Sequence, residues 1–367
     1  MPNKNDTKTY NEVKHWMRVI GLALNLAVFA VFHFSGATFW LTDVCHSLTE
    51  HRLAINSYYI IFFMTGFTVM HLPLSFFSGY LWEHRFNLSN QNILQWGADE
   101  LKKFGLGVVL FLVLGNAVFY FLGRDAHDWW IWAGGFWLLI SFVIAKLTPN
   151  VLVPIFYKYS DLGDEHLKGL IQKLFNKCSV ALKNVYKIDM SSKTNKANAF
   201  VCGMGKGRRV VLSDTLVEDF TAEEIEVVVA HELGHYKHHD ILKLFALNAL
   251  LIFSGLYFVH TILGGIITRT PATGYGDISL LPLFFLLLTV FNLGMAPAIN
   301  FLSRVIERQA DAFSLKVTQN RDAFISTMQK LADMNMEELT PPQWVKVLMY
   351  DHPTIYDRIK FAKEFNL

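Results

Sequence analysis

Residues 227–240, VVVAHELGHYKHHD, lead directly into an apolar segment that begins at Ile241. They contain the pattern His-Glu-x-x-His, with His231 and His235 four residues apart. On a helix this spacing places both imidazoles on one face, where they can share one Zn²⁺, with Glu232 beside them as a candidate general base. The alternative is the polar face of an ordinary surface helix. A choice between the two requires a third ligand and a reason for a metal site beside an apolar segment.

The composition is typical of a membrane protein. The chain has 367 residues, of which 52% are hydrophobic and 17% charged, and its mean hydropathy is +0.29. Soluble domains are about 45–50% apolar and about 25% charged. A net charge of only +2, without a basic tract carrying interleaved aromatic residues, argues against a nucleic-acid partner. The three cysteines match no zinc or disulfide spacing and are interpreted as free thiols: Cys45, Cys178 and Cys202.

Hydropathy predicts six transmembrane segments and a four-part organisation. A hydrocarbon core about 30 Å thick needs about 20 apolar residues, and six stretches qualify: 19–41, 53–82, 101–122, 129–147, 241–266 and 279–302. They divide the chain into a membrane region with four helices, a polar region, a transmembrane hairpin and a second polar region: 1–147, 148–240, 241–302 and 303–367. Because Lys and Arg are concentrated in the termini and polar regions, the positive-inside rule places these in the cytoplasm.

The first polar region shows the signals of a small mixed α/β unit. Apolar residues at helical spacing predict a helix over residues 163–177. Three β-rich runs follow, NVYKIDM at 184–190, ANAFVCGM at 197–204 and RRVVLSDTL at 208–216. Thr221 and Glu224 form a capping-box pattern, which predicts a helix from there through Asp240.

A candidate third ligand lies beyond the hairpin, in NFLSRVIERQADAFSLK. Glu307 and Asp311 are again four residues apart, so Glu307 can ligate zinc while Asp311 orients a ligand histidine from behind. Taken alone, the pair also fits a solvated helix face. The two segments between the motifs form one hairpin out and back, however, which returns Glu307 to the side and nearly the depth of His231.

These residues match a family. HELGH, SRVIERQADAF, ANAFVCGMGKGRRVVLSDTL and DHPTIYDRI resemble the M48 zinc metallopeptidases, and within them the CAAX prenyl protease 1 (Ste24-type) group. The resemblance runs from about Phe76 to the C-terminus. It implies one Zn²⁺ per chain held by His231, His235 and Glu307, with Glu232 as the catalytic base. It also implies a mainly α, polytopic membrane protein of about six helices, with a cytoplasmic, gluzincin-like zinc protease domain that carries a small β-sheet.

The resemblance extends to four further residues. His352 matches a histidine that stabilises the oxyanion, although a helix-cap or surface histidine is the alternative. Asn198 matches an asparagine on an edge strand that binds the substrate backbone, against an ordinary turn asparagine. Arg304 and Arg358 either bind a substrate carboxylate or pair with Asp311 or other neighbours. Eukaryotic members of the group resemble a seven-span plan, whereas six spans are counted here.

The depth of the site predicts the substrate. His235 precedes the apolar segment at Ile241 by about 9 Å along a helix, so the zinc lies at the cytoplasmic face of the bilayer. This placement suits a membrane-anchored or lipidated protein or peptide. We therefore expect a zinc endopeptidase for membrane-associated, isoprenylated (CAAX-type) proteins, in the bacterial inner membrane or the endoplasmic reticulum. The alternatives are a quality-control protease for misfolded membrane proteins and, in another class, a transporter or receptor with a structural zinc.

Overall fold

The computed structural model describes residues 4–203 and 207–367. Its first part is entirely helical, with π-helical turns at Phe77–Leu81 and Thr148–Leu152. The α-helices of this part are α1 (Lys4–Phe34), α2 (Ala37–Leu48), α3 (Arg52–Phe76), α4 (Trp82–Arg85), α5 (Ile93–Arg124), α6 (Trp129–Leu147) and α7 (Val153–Phe156). The second part is mixed and contains β1 (Tyr159–Asp161), α8 (Glu165–Lys177), β2 (Asn184–Ile188), β3 (Ala199–Cys202), β4 (Arg209–Ser213), α9 (Asp214–Asp219), α10 (Ala222–Lys237), α11 (Asp240–Ile266), α12 (Leu281–Thr318), α13 (Arg321–Asn335), α14 (Gln343–Met349) and α15 (Ile355–Glu364).

Six helical segments in these ranges are long and apolar enough to cross a membrane, which confirms the predicted number. They are Asn5–Phe34, Arg52–Arg85, Ile93–Arg124, Trp129–Phe156, Asp240–Arg269 and Ile278–Thr318. The first differs from the predicted 19–41. Its helix begins within the polar N-terminus and ends at Phe34, because Gly36 adopts φ 85°, a left-handed conformation that glycine tolerates at no steric cost.

The polar region contains a four-stranded sheet with the strand order β1-β2-β4-β3. β2 and β4 pair in parallel, whereas β1 and β3 pair antiparallel with their neighbours and form the two edges. Each predicted β-rich run contains a strand, although Met204 at the end of the second run lies outside the described residues. β1 was not predicted, because three residues are too few to show an alternating pattern.

The helix that carries the histidines begins as predicted and ends earlier. Thr221 accepts a hydrogen bond from the Glu224 N–H, and the Glu224 carboxylate accepts one from the Thr221 N–H, which completes the capping box. α10 ends at Lys237 and does not continue to Asp240 as predicted. The break is at His239, whose φ of 56° takes the backbone into the left-handed region before α11 begins.

α12 is uninterrupted from the membrane into the polar part of the protein, and it packs closely against α10. The closest approach is at Gly234, where an added Cβ would lie 3.1 Å from the Ala310 Cα and 3.2 Å from the Phe313 Cβ. A glycine at this point of the His-Glu-x-x-His helix therefore lets the two backbones come together. The Ser314 hydroxyl adds a hydrogen bond to the Val227 carbonyl oxygen at 2.8 Å.

Candidate active site

The helix contact brings the three predicted ligands together. The rings of His231 and His235 lie 4.9 Å apart and nearly perpendicular. Glu307 reaches both, with Oε2 3.2 Å from His231 Nε2 and Oε1 3.4 Å from His235 Nε2. Two imidazole nitrogens and one carboxylate therefore converge on one point. Glu232 lies in the same cluster, since its carboxylate and the ring nitrogens of the two histidines are all within 4.8 Å of one another.

This donor set fits a zinc ion. Two imidazoles and one carboxylate are a ligand combination of catalytic zinc sites, which leave a further coordination position open. Glu307 Oε2 is buried and has no hydrogen-bond partner among the described residues, as expected of an oxygen that a cation would satisfy. The arrangement also fits an enzyme better than a structural site, because it supplies three protein ligands and a further carboxylate, that of Glu232.

Each histidine also has a carboxylate behind it. Nδ1 of His231 lies 2.9 Å from Asp311, and Nδ1 of His235 lies 3.0 Å from Asp240. Such outer carboxylates fix the tautomer and the orientation of a ligand histidine, leaving Nε2 free for a metal. Asp311 occupies the position that the sequence suggested. Asp240 was missed, although its signal was present: it is the one acid at the junction between the motif and the apolar segment.

Arg358 completes the support of His231. Its Nε and Nη2 donate to the two oxygens of Asp311 at 2.9 and 2.5 Å, a bidentate pair in a buried position. Burial opposes a positive charge on His231, and Arg358 opposes it as well, but the carboxylates of Asp311 and Glu307 outweigh both and raise the pKa of His231 above its ordinary value. The surroundings of the His231 ring therefore favour positive charge.

Two predicted catalytic groups face the same point. Burial raises the pKa of the Glu232 carboxyl, an effect that the two neighbouring histidines partly oppose. His352 places Nε2 3.5 Å from Glu307 Oε1, and its Nδ1 lies 2.8 Å from Asp351. This hydrogen bond with Asp351 raises the pKa of His352 and favours the protonated, hydrogen-bond-donating form. The histidine side chain is 56% exposed and is therefore accessible to a ligand.

Asn198 lies on the cavity wall just before the edge strand β3. Its backbone N–H and C=O pair with Ser213, and its Oδ1 accepts the Ala199 N–H at 2.9 Å. Among the described residues its Nδ2 has no partner, so this amide donor is available at an open sheet edge. Arg304 lies elsewhere: its guanidinium donates to the carbonyl oxygens of Lys346 and Tyr350 at 3.0 and 2.7 Å. Arg304 thus ties α12 to the segment that precedes His352.

These groups open into a cavity of about 660 Å³. Its wall is formed by residues of α10, β3, the segment Met349–Pro353 and the N-terminal part of α1. The contribution of α1 was not predicted, because nothing in an isolated polar N-terminus indicates which part of the fold it packs against. The cavity is of the size that binds small ligands or a short stretch of peptide.

Comparison with known proteins agrees with this geometry. Residues 161–366 match the model of peptidase family M48, and residues 4–158 match that of the CAAX prenyl protease N-terminal region, described as five membrane helices. Within 4–158 the described residues form four helices of spanning length. The chain is a membrane-embedded zinc metalloprotease. It belongs to peptidase family M48, whose model covers more than half of its length.

Individual relatives match over nearly the whole chain. An uncharacterized metalloprotease of Bacillus subtilis, YhfN, is 28% identical over 97% of this chain and 84% of its own length. A probable CAAX prenyl protease 1 of Schizosaccharomyces pombe is 25% identical over 96% of this chain and 77% of its own. The crystal structure of Ste24p from S. mikatae superposes with a TM-score of 0.85 at 22% identity, over 97% of this chain and 87% of that one. The last similarity establishes the fold.

Proposed function

We propose that the protein is an endopeptidase that cleaves isoprenylated, CAAX-type proteins at the cytoplasmic face of the membrane, with one Zn²⁺ held by His231, His235 and Glu307. The observation that carries this proposal is the contact of the Glu307 carboxylate with both histidine Nε2 atoms. Glu307 belongs to α12, which continues from a membrane-spanning segment, so a metal held by Glu307 lies at a fixed distance from the bilayer. The similarity to CAAX prenyl proteases over most of the chain supports the substrate class.

A bound Zn²⁺ would supply a Lewis acid for the scissile carbonyl and a water whose pKa falls from 15.7 toward about 7. Glu232 accepts the proton of the attacking water and delivers it to the leaving amine, a role that suits a carboxyl with a raised pKa. His352 donates a hydrogen bond to the developing oxyanion, a contribution of about 2.7–4 kcal/mol at comparable sites. Asp311 and Asp240 hold the ligand histidines in orientation.

The substrate backbone lies along β3. This strand forms one edge of the sheet, and Asn198 at its start offers an unpaired amide N–H₂ group. An extended peptide can add to such an edge by main-chain hydrogen bonds, which bind many sequences alike. Arg358 and Arg304 have the positioning roles that their contacts indicate, the first through Asp311 and the second through the segment before His352.

The catalytic unit combines residues 148–240 with 303–367, because Phe313, Val317 and Leu331 pack on the core formed by α8, α10 and the sheet. The membrane region 1–147 and the hairpin 241–302 hold this unit against the bilayer. The distribution of Lys and Arg supports a cytoplasmic active site, in a bacterial inner membrane or in the endoplasmic reticulum.

Purified protein in detergent provides the test. Wild type is expected to cleave a farnesylated C-a-a-X peptide in a zinc-dependent manner and to leave its unprenylated twin intact. Glu232→Gln is expected to retain full zinc and to lose cleavage. Equal cleavage of both peptides would favour quality control of misfolded membrane proteins. Unchanged cleavage by the variant would exclude the catalytic role of Glu232, and full zinc without any cleavage by wild type would indicate a structural metal.

A further inference from the structure

The N-terminal helix contributes two cationic side chains and a histidine to the wall of the catalytic cavity. Lys14, His15 and Arg18 line the same cavity as His231 and Glu232. Lys14 already has a partner, since its Nζ donates to the Glu83 carboxylate at 2.6 Å. It helps to fasten α1 to the rest of the protein.

Arg18 differs from Lys14 in having no partner. It is exposed, lies at the cavity wall, and within residues 4–203 and 207–367 forms no hydrogen bond and no ion pair. The pKa of Asp351 is held below its ordinary value, first by the hydrogen bond from His352 and further by the positive charge of Arg18. Asp351 is itself engaged with His352 Nδ1 at 2.8 Å and does not pair with Arg18. Arg18, Asp351 and His352 line the same cavity, so an unpaired guanidinium shares its wall with His352.

His15 provides a second, independent indication. It is only 5% exposed, and its ring lies edge-to-face with the Tyr350 ring at a centroid distance of 6.1 Å. Neither ring nitrogen forms a hydrogen bond with a described residue. Neither nitrogen is fully enclosed, so the ring keeps a polar edge open toward the cavity that it lines, where a ligand or water can satisfy it. One turn of helix separates His15 from Arg18, so both side chains lie on the same face of α1.

We propose that Arg18, with His15 beside it, forms an anion subsite that binds a carboxylate of the peptide substrate. The inference rests on the proposed function and adds a recognition element to it. A guanidinium binds a carboxylate by two parallel, charge-assisted hydrogen bonds, and His15 adds a further donor. The carboxylate belongs either to the chain terminus or to an acidic side chain close to the cleaved bond. The two candidate arginines from the sequence do not compete for it, because Arg358 is paired with Asp311 and Arg304 with backbone carbonyls.

Three lipidated peptides of one sequence distinguish the possibilities: a free C-terminal acid, its C-terminal amide, and the amide with one Asp near the terminus. Wild type is expected to prefer a carboxylate-bearing peptide over the plain amide by about ten- to hundredfold in kcat/KM, mainly through KM. Preference for the free acid assigns the subsite to the chain terminus, and rescue by the Asp peptide assigns it to a side chain. Equal rates for all three peptides would overturn the proposal.

Arg18→Gln is expected to bring the ratio of kcat/KM for the preferred carboxylate-bearing peptide to that for the plain amide to near one, whereas Arg18→Lys retains part of the preference. Lys8→Gln is the matched control, since it removes one charge from the same helix at an exposed position, 3.7 Å from Glu12 and outside the cavity wall. It should leave the ratio at the wild-type value. A preference that survives Arg18→Gln would refute the assignment of Arg18. If wild type cleaves no peptide at all, the proposed function fails instead.

Discussion

The carboxylate of Asp240 offers a sharp test of how the metal centre is supported. Asp240 is 1% exposed, and its Oδ2 lies 3.0 Å from His235 Nδ1 while its Oδ1 accepts from Lys243 at 2.8 Å. Asp240→Asn preserves shape and one acceptor but removes the charge that strengthens the His235 hydrogen bond. Loss of such an outer-shell partner costs about 10–100-fold in metal affinity. This range corresponds to about 1.4–2.7 kcal/mol.

Asp240 is a cleaner position than Asp311 for this experiment. Replacing Asp311 would leave the guanidinium of Arg358 buried without its partner, and breaking a buried ion pair costs about 3–5 kcal/mol of stability. The cation beside Asp240 is instead the 47% exposed Lys243, whose pairing contributes about 1 kcal/mol or less. Lys243→Gln therefore serves as the control, because it alters the same carboxylate without touching His235.

The assay is competition for zinc between the purified protein and a chelator of known affinity, together with peptide cleavage at rising zinc concentration. We expect Asp240→Asn to weaken zinc binding 10–100-fold and to recover most of its cleavage when zinc is saturating. Lys243→Gln should bind zinc as wild type does. Unchanged zinc affinity in Asp240→Asn would refute the positioning role, and cleavage that stays lost at saturating zinc would show that Asp240 acts on the reaction rather than on the metal.

Two further outcomes follow from the packing around α10. Gly234→Ala gains about 1 kcal/mol of helix propensity but places a Cβ 3.1 Å from the Ala310 Cα. The overpacking costs about 1–3 kcal/mol and should prevail, so both the melting temperature and the zinc affinity should fall. A rise in both would contradict this. Burial opposes ionisation of Glu224, but hydrogen bonds from Lys330, Ser326 and the Thr221 N–H outweigh it and hold the pKa of Glu224 below its ordinary value. The charge on Glu224 therefore stabilises the fold at pH values above 4.5, the ordinary pKa of the group. Glu224→Gln should lower the free energy of unfolding at pH 7, and its difference from wild type should disappear as the pH falls through the lowered pKa. A difference that stays constant across pH would exclude the charge as its cause.

The elements that sequence predicted well are those with a regular repeat. The spans, the capping box at Thr221 and the pairing of His231 with His235 all follow from helical spacing or length. Glu307 was placed correctly near these histidines because a hairpin of two spans must return the chain to the same side of the membrane. Local pattern and membrane topology together were sufficient for the zinc motif, whose ligand roles remain a prediction.

The remaining features depend on contacts distant in sequence. Lys14 and Arg18 carry only the pattern of a positively charged N-terminus, which predicts orientation and not the packing of α1 against the cavity. The partners of Arg304 are backbone carbonyls of α14 and the segment after it, and no spacing rule connects such positions. Cavity walls assembled from several elements are for this reason the part of the site least accessible to sequence alone.

The break between α10 and α11 explains how a second carboxylate reaches the site. Had the helix continued through residue 240, as the sequence suggested, His235 and Asp240 would be five residues apart and about 140° apart around its axis. Their side chains could then not have met. The left-handed His239 reverses this, since it reorients the chain so that Asp240 begins α11 with its carboxylate 3.0 Å from His235 Nδ1. Histidine is among the residues enriched at such positive φ values, where the conformation costs roughly 1–2 kcal/mol. The left-handed residue thereby links the helix that carries His231 and His235 to the helix that enters the membrane.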